Sequence, residues 1–335
     1  MTGNTGKDVV CEAGDGVELA VRDHGGDGAA VLLLHGAGRT LMDWELVAPL
    51  LAERHRVVAM DLRGHGRSGD GPWTFDAVLG DVTAVLERQG IPDAVVVGHS
   101  LGGMIAALCL EHNERTPAAV NLDGHGMGRP DQYLGLDRTY VEQRLAEARE
   151  FAEEAGGRTF AAEALDGVLG YQAAMAEQLG IPMALMEAGA RRSLGETADG
   201  QLYLRPGRQH AQEMQAAIAG LDLFALYRRV SRPLLIARAL RPNPLVPGMP
   251  EWFDELMAAY VAGLRRDLGE LARTQSHITV AGVDGTHAMV MERPEEIAAL
   301  VAGFVAGDEF VAGGEFVAGG EFVAEDEFVA GDVPA

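Results

Sequence analysis

One stretch limits what this chain can fold into more than any other: Ala94-Val95-Val96-Val97-Gly98-His99-Ser100-Leu101-Gly102-Gly103. The apolar run has the length and β-branched content of a strand, and residues 101–111 have the spacing of a helix. Between them stands G-x-S-x-G. In that setting the pentapeptide is a strand–turn–helix elbow, so sharp that the serine is held in strained backbone with its hydroxyl pointing out of the fold. Glycines two before and two after Ser100 remove Cβ atoms where strand and helix nearly collide. Ser100 is therefore a candidate covalent nucleophile; the alternative is a plain turn serine.

The rest of the chain is consistent with that motif. Strand-like runs fall at 9–12 and 17–22, flanking the hairpin signal Gly14-Asp15-Gly16, and at 30–34 and 56–60. The last two are continuous apolar runs, as in strands buried on both faces. Helical spacing occupies 44–53 and 75–89, the latter ended by Gly90-Ile91-Pro92. A strand is expected at 118–122. Strands alternating with helices predict an α/β fold with a mostly parallel, doubly wound sheet. The alternation stops at 127–227, where the pattern is helical and no strand of the earlier kind appears. It resumes with a strand at 233–239, a helix at 251–269, a strand at 277–281 and a closing helix at 294–304. The expected organisation is a core of 1–124 and 229–304, an inserted helical cap of 125–228 over the carboxyl ends of the strands, and a tail of 305–335.

That tail is a hexapeptide array, FVAGDE-FVAGGE-FVAGGE-FVAEDE-FVAGD, beginning at Phe304. A period of six does not match a helix face, glycine in most copies opposes both helix and strand, and the array contains eight acidic residues and no Lys or Arg. It is expected to be a flexible acidic tail without catalytic role; the sharper alternative is an interaction tail studded with five phenylalanines. The whole chain carries a net charge of −23, which argues against nucleic acid or an anionic membrane as partner. Its two cysteines, Cys11 and Cys109, lack metal-ligand or redox spacing and read as reduced thiols. The polar start and the lack of any apolar run of about 18 residues lead to the expectation of a cytoplasmic protein.

Several motifs together resemble the α/β-hydrolase superfamily. They are His35-Gly36 after the third strand, Asp61-Leu62-Arg63-Gly64-His65-Gly66-Arg67-Ser68 after the fourth, the elbow, and Gly285-Thr286-His287 after the last strand. The resemblance runs from about residue 9 to 304 and is to the capped esterase, lactonase and dehalogenase-like branch. It implies a serine hydrolase of carboxylic esters, lactones or thioesters that needs no cofactor and no metal. Serine at the elbow argues against haloalkane dehalogenase or epoxide hydrolase chemistry, which needs a carboxylate there in this family. Two alternatives stay open: acyl transfer or cyclisation on the same scaffold, and a ligand-binding protein with negligible turnover.

A serine needs a base. His287 is the expected one, with His125 as its nearest rival. The acid is less obvious. Many family members carry it after the penultimate strand, but here that stretch is Ala237-Arg238-Ala239-Leu240-Arg241-Pro242-Asn243, with no carboxylate. Some relatives place it one strand after the nucleophile, and Asp123 ends that strand here. Asp123 is thus the expected acid, with Asp254 and Glu251 as alternatives. By resemblance, the backbone N–H groups of Ala37 and Leu101 form the oxyanion hole. His35, His99, His125, Met127 and Tyr133 are the residues expected around the substrate, a small and partly hydrophobic molecule. Asp61-Leu62-Arg63-Gly64-His65-Gly66 is expected to be a structural turn with its Asp and Arg paired across loops. The oligomeric state stays open.

Overall fold

The computed structural model describes residues 6–244, 250, 252–307, 316–317 and 321–322. Strands β1 (Lys7–Glu12), β2 (Glu18–Gly25), β3 (Ala30–Leu34), β4 (Arg56–Met60), β5 (Val95–His99) and β6 (Ala119–Leu122) alternate with helices α1 (Ala48–Leu51), α2 (Phe75–Arg88) and α3 (Leu101–His112). After β6 come helices α4 (Arg138–Ala155), α5 (Leu165–Leu179), α6 (Met183–Arg192), α7 (Arg208–Ala219) and α8 (Leu223–Arg229), with short strands β7 (Thr159–Phe160), β8 (Leu194–Glu196) and β9 (Leu202–Leu204) between them. The core resumes with β10 (Leu234–Ala239), α9 (Trp252–Thr274), β11 (Ile278–Val283), α10 (Met289–Glu292) and α11 (Pro294–Ala306).

The main sheet runs β1-β2-β4-β3-β5-β6-β10-β11. From β4 to β11 every neighbouring pair is parallel; β1 and β2 join antiparallel at one edge. Period-two alternation divides the inner strands between two cores. Val31, Leu33, Val57, Ala59, Val97, Val120 and Leu122 face the layer of α1 and α11, whereas Leu32, Leu34, Val58, Met60 and Val96 face α2, α3 and α8. Both layers exclude water from the central strands, which is why those strands read as unbroken apolar runs.

Two sequence expectations need correction. The helix expected over 44–53 is a 3₁₀ turn, Leu41–Trp44, followed by the four-residue α1. Pro49 explains the break: it has no N–H to give and is accommodated only in the first turn of a new helix. The segment 127–227 is not helical throughout, because β7, β9 and β8 form a small antiparallel sheet. Its β8–β9 hairpin turns through Thr197-Ala198-Asp199-Gly200, where Gly200 takes φ +81° and the Thr197 carbonyl accepts its N–H. Three-residue strands are too short for periodicity to register.

The helices between β6 and β10 reach the core at α8, which packs on α3, and at α6, which packs on Leu41–Trp44. Leu185 and Met186 of α6 also share an apolar cluster with Met291, four residues past His287. A buried ion pair secures this contact: Arg192 Nε donates to Asp61 Oδ2 at 2.8 Å. The Asp61 carboxylate also accepts the N–H groups of Leu41 and Arg67. Arg63 is held by Asp81 and Asp15, so the 61–68 segment is the expected loop with its charges paired. The first copy of the terminal repeat, Phe304-Val305-Ala306-Gly307, ends α11, and Gly307 caps it at φ +76°. Phe316–Val317 (β12) and Glu321–Phe322 (β13) continue the sheet beside β11. These four residues are strand in a tail expected to be flexible; the rest of the tail past Gly307 lies outside the described residues.

Three histidines packed in this core are kept neutral. Burial lowers His35 and His99 to about 4 and His65 to about 3. His35 illustrates the reason: its Nδ1–H donates to the Gly36 carbonyl at 2.8 Å and its Nε2 accepts the Leu62 N–H at 3.0 Å, so a second ring proton would face an N–H. In the unfolded chain these rings titrate near 6.5. Between that value and about 4 the unfolded state binds more protons, so stability is complete above 6.5 and is lost as pH falls through the folded values. The urea midpoint is therefore expected to be level at pH 7–8 and to drop steeply towards pH 5. A constant midpoint over that range would contradict the buried neutral rings.

Candidate active site

Three parallel strands, β5, β6 and β11, deliver the polar residues of the site from their carboxyl ends. Ser100 follows β5 at φ 54° and ψ −119°, a conformation that L-residues rarely adopt. The turn tolerates nothing larger than glycine around it: a Cβ on Gly98 would lie 1.9 Å from the Gly102 carbonyl oxygen. Asp123, one residue past β6, also has φ 54°, and these two are the non-glycine residues of positive φ among the described residues. Both strained peptides are tied to neighbouring strands. Ser100 N–H donates to the Leu122 carbonyl and Asp123 N–H to the Ala237 carbonyl, each at 2.8 Å.

His287 stands on the loop between β11 and α10. Glu292 Oε2 holds that loop by accepting from both the N–H and the hydroxyl of Thr286 at 2.7 Å. The His287 ring joins the other two residues: Nδ1 is 2.7 Å from Asp123 Oδ2 and Nε2 is 3.0 Å from Ser100 Oγ. Asp123 accepts at Nδ1, so the ring proton belongs on that nitrogen and Nε2 presents its lone pair to the serine hydroxyl. The other carboxylate oxygen, Oδ1, accepts the Ala239 N–H at 2.9 Å. Burial by itself would raise the Asp123 carboxyl; the bond from His287, the nearby His125 and His287 rings and the Ala239 N–H outweigh it and hold the group well below the usual carboxylate range.

The loop after β3 approaches the elbow closely: a Cβ on Gly36 would be 3.1 Å from Ser100 Cβ. Ala37 is exposed there, and Leu101 is buried at the first turn of α3. Among the described residues neither backbone N–H has a hydrogen-bond acceptor. The helix dipole of α3 adds partial positive charge at Leu101. The pocket candidates divide. His125 and Met127 lie in the loop that follows Asp123, with His125 Nε2 3.7 Å from Asp123 Oδ1 and Met127 exposed. His35 and Tyr133 are not on an open surface: His35 is fully buried, and Tyr133 stacks on Tyr260 while its hydroxyl donates to the Met127 carbonyl. His99 is buried against the His287 ring, at 4.8 Å between centroids. Asp254 is an exposed residue in the first turn of α9; Glu251 lies outside the described residues.

Asn243 is a site residue that sequence reasoning misses. Its Oδ1 accepts the His287 N–H at 2.9 Å, from the stretch after β10 that carries no carboxylate up to Asn243. Sequence reasoning also misses Ala239, whose backbone N–H carries the information; no side chain could have signalled it. Among the described residues no group of His, Cys, Asp and Glu side chains has the arrangement of a metal site, and no helix is long and apolar enough to cross a membrane.

Comparison with known proteins agrees with this architecture. The profile of the alpha/beta hydrolase family matches residues 31–300, so the chain belongs to that family. It is 40% identical over 110 residues to Lipase LipV of Mycobacterium tuberculosis, covering 32% of this chain and 42% of the lipase. It is 32% identical over 141 residues to the 2-hydroxymuconate semialdehyde hydrolase of a Pseudomonas species, covering 38% of this chain and 50% of that enzyme. The chain thus spans half or less of the length of these curated relatives. Among solved structures, E-2-(acetamidomethylene)succinate hydrolase superposes with a TM-score of 0.64 at 20% identity, over 90% of this chain and 99% of the other, a likeness of fold.

Proposed function

We propose that the protein is a serine hydrolase that cleaves a carboxylic ester, lactone or thioester through an acyl-enzyme. One observation carries the reading: the continuous path from Ser100 Oγ to His287 Nε2 at 3.0 Å and from His287 Nδ1 to Asp123 Oδ2 at 2.7 Å. In the proposed reaction Ser100 Oγ attacks the carbonyl carbon while its proton passes to His287 Nε2. The resulting imidazolium is stabilised by Asp123, which stays ionised. The N–H groups of Ala37 and Leu101 receive the negative oxygen of the tetrahedral intermediate. As the intermediate collapses, the leaving alcohol or thiol takes the proton from His287. A water then gives a proton to the same nitrogen and attacks the acyl carbon. The acid product leaves, and Ser100 regains its proton. The lipase and hydrolase names of the relatives agree with this class without fixing the substrate.

Treatment of the purified protein with a fluorophosphonate, followed by intact mass, tests the assignment. One adduct per chain is expected on the wild type and none on Ser100→Ala. A folded wild-type protein that takes no adduct, or a Ser100→Ala protein that does, would overturn the role given to Ser100.

A further inference from the structure

The His287 side chain is 41% exposed and sits on a loop, so packing alone does not fix it. The bond to Asp123 holds one ring nitrogen but leaves the ring free to pivot about it. What immobilises the residue is its own peptide. His287 N–H donates to Asn243 Oδ1 at 2.9 Å, and the His287 carbonyl accepts from His99 Nε2 at 2.6 Å. These two partners come from different places. Asn243 follows β10, and His99 is the last residue of β5, covalently joined to Ser100. His99 is only 5% exposed, and its ring lies against that of His287 at an interplanar angle of 44°.

Building on the reading of Ser100 as nucleophile and His287 as base, we propose that His99 and Asn243 are positioning residues. They grip the His287 peptide from both sides and set the separation of its Nε2 from Ser100 Oγ. His99 makes the link direct: the residue that holds the base is bonded to the residue that attacks, so a shift of the elbow carries the base with it. Asn243 supplies the second point, which stops rotation about the first. β10 thus contributes a backbone N–H to the site and the loop after it an amide acceptor, with the triad carboxylate supplied from the end of β6.

The test uses the full-length protein and the rate of fluorophosphonate labelling, with the thermal midpoint measured alongside. His99→Leu removes the donor and Asn243→Ala the acceptor. Each is expected to slow labelling of the folded protein by about 10- to 100-fold, the cost of a base displaced by a fraction of an ångström to one ångström. His99→Gln, whose amide nitrogen reaches where Nε2 stood, and Asn243→Asp, which keeps the acceptor, are expected to restore most of the rate. A merely structural role would lower the thermal midpoint while leaving the rate constant of the folded fraction unchanged. Wild-type rates in both deletion variants, or failure of both conservative variants to recover, would overturn the proposal. Should His99→Leu not fold, the exposed Asn243 pair carries the test alone. A wild-type protein that takes no label at all would refute the serine assignment, a different outcome from equal rates across the series.

Discussion

The Asp123→Asn protein is expected to fold and to lose about four orders of magnitude in turnover of an activated ester. The geometry makes the loss specific. Asp123 Oδ1 accepts from Ala239 N–H, so an asparagine at 123 will place its amide oxygen there and turn its NH₂ towards His287 Nδ1. That nitrogen must then accept, which moves the ring proton to Nε2, where it faces Ser100 Oγ and blocks proton abstraction. The backbone N–H of Ala239 thus dictates which way the amide points. Steady-state kinetics on a p-nitrophenyl ester measures the effect. Turnover within tenfold of wild type would remove Asp123 from the triad and return attention to Glu251 and Asp254.

A second large effect is expected far from the chemistry. Asp61→Ala should lower unfolding free energy by about 3–5 kcal/mol, read from urea denaturation. Asp61 is fully buried and accepts from Leu41 N–H at 2.8 Å, Arg67 N–H at 2.9 Å and Arg192 Nε at 2.8 Å. Removing it strands two backbone donors and leaves a buried guanidinium with one remaining carboxylate, Asp8 at 3.4 Å. Arg192→Met, which removes the charge and fills much of the volume, should cost less. If Asp61→Ala unfolds within 1 kcal/mol of wild type, this pair does not anchor α6 to the core.

Features that depend on local pattern are legible in the sequence. The inner strands are continuous apolar runs because both faces are covered, and the elbow declares itself through glycines whose Cβ atoms could not fit. Ser100, Asp123 and His287 each stand where an apolar run gives way to polar residues, so the strand ends that carry them can be found. Features that depend on distant partners are not legible. Arg192 and Asp61 are 131 residues apart, and nothing near either marks the pairing. Asn243 looks like any loop residue, because an amide that accepts one N–H has no compositional signature. The small sheet of β7–β9 and the break at Pro49 fail for another reason: their elements are shorter than the window over which periodicity can be counted.

The left-handed backbone at Ser100 and Asp123 has a further consequence. Each such residue costs about 1–3 kcal/mol and persists only while its surroundings over-determine it. Those surroundings are the bonds to the Leu122 and Ala237 carbonyls and the close packing of the elbow, where a Cβ on Gly98 or Gly102 would meet a backbone oxygen at 1.9 or 2.3 Å. Loosening that packing lets the two peptides relax towards ordinary angles and pulls the hydroxyl and carboxylate out of line before the protein as a whole unfolds. A screen for inactive variants will therefore return changes at Gly98 and Gly102 among its hits. Such mutants would be easily mistaken for substrate-binding defects, although their fault lies in a spring that has lost its frame.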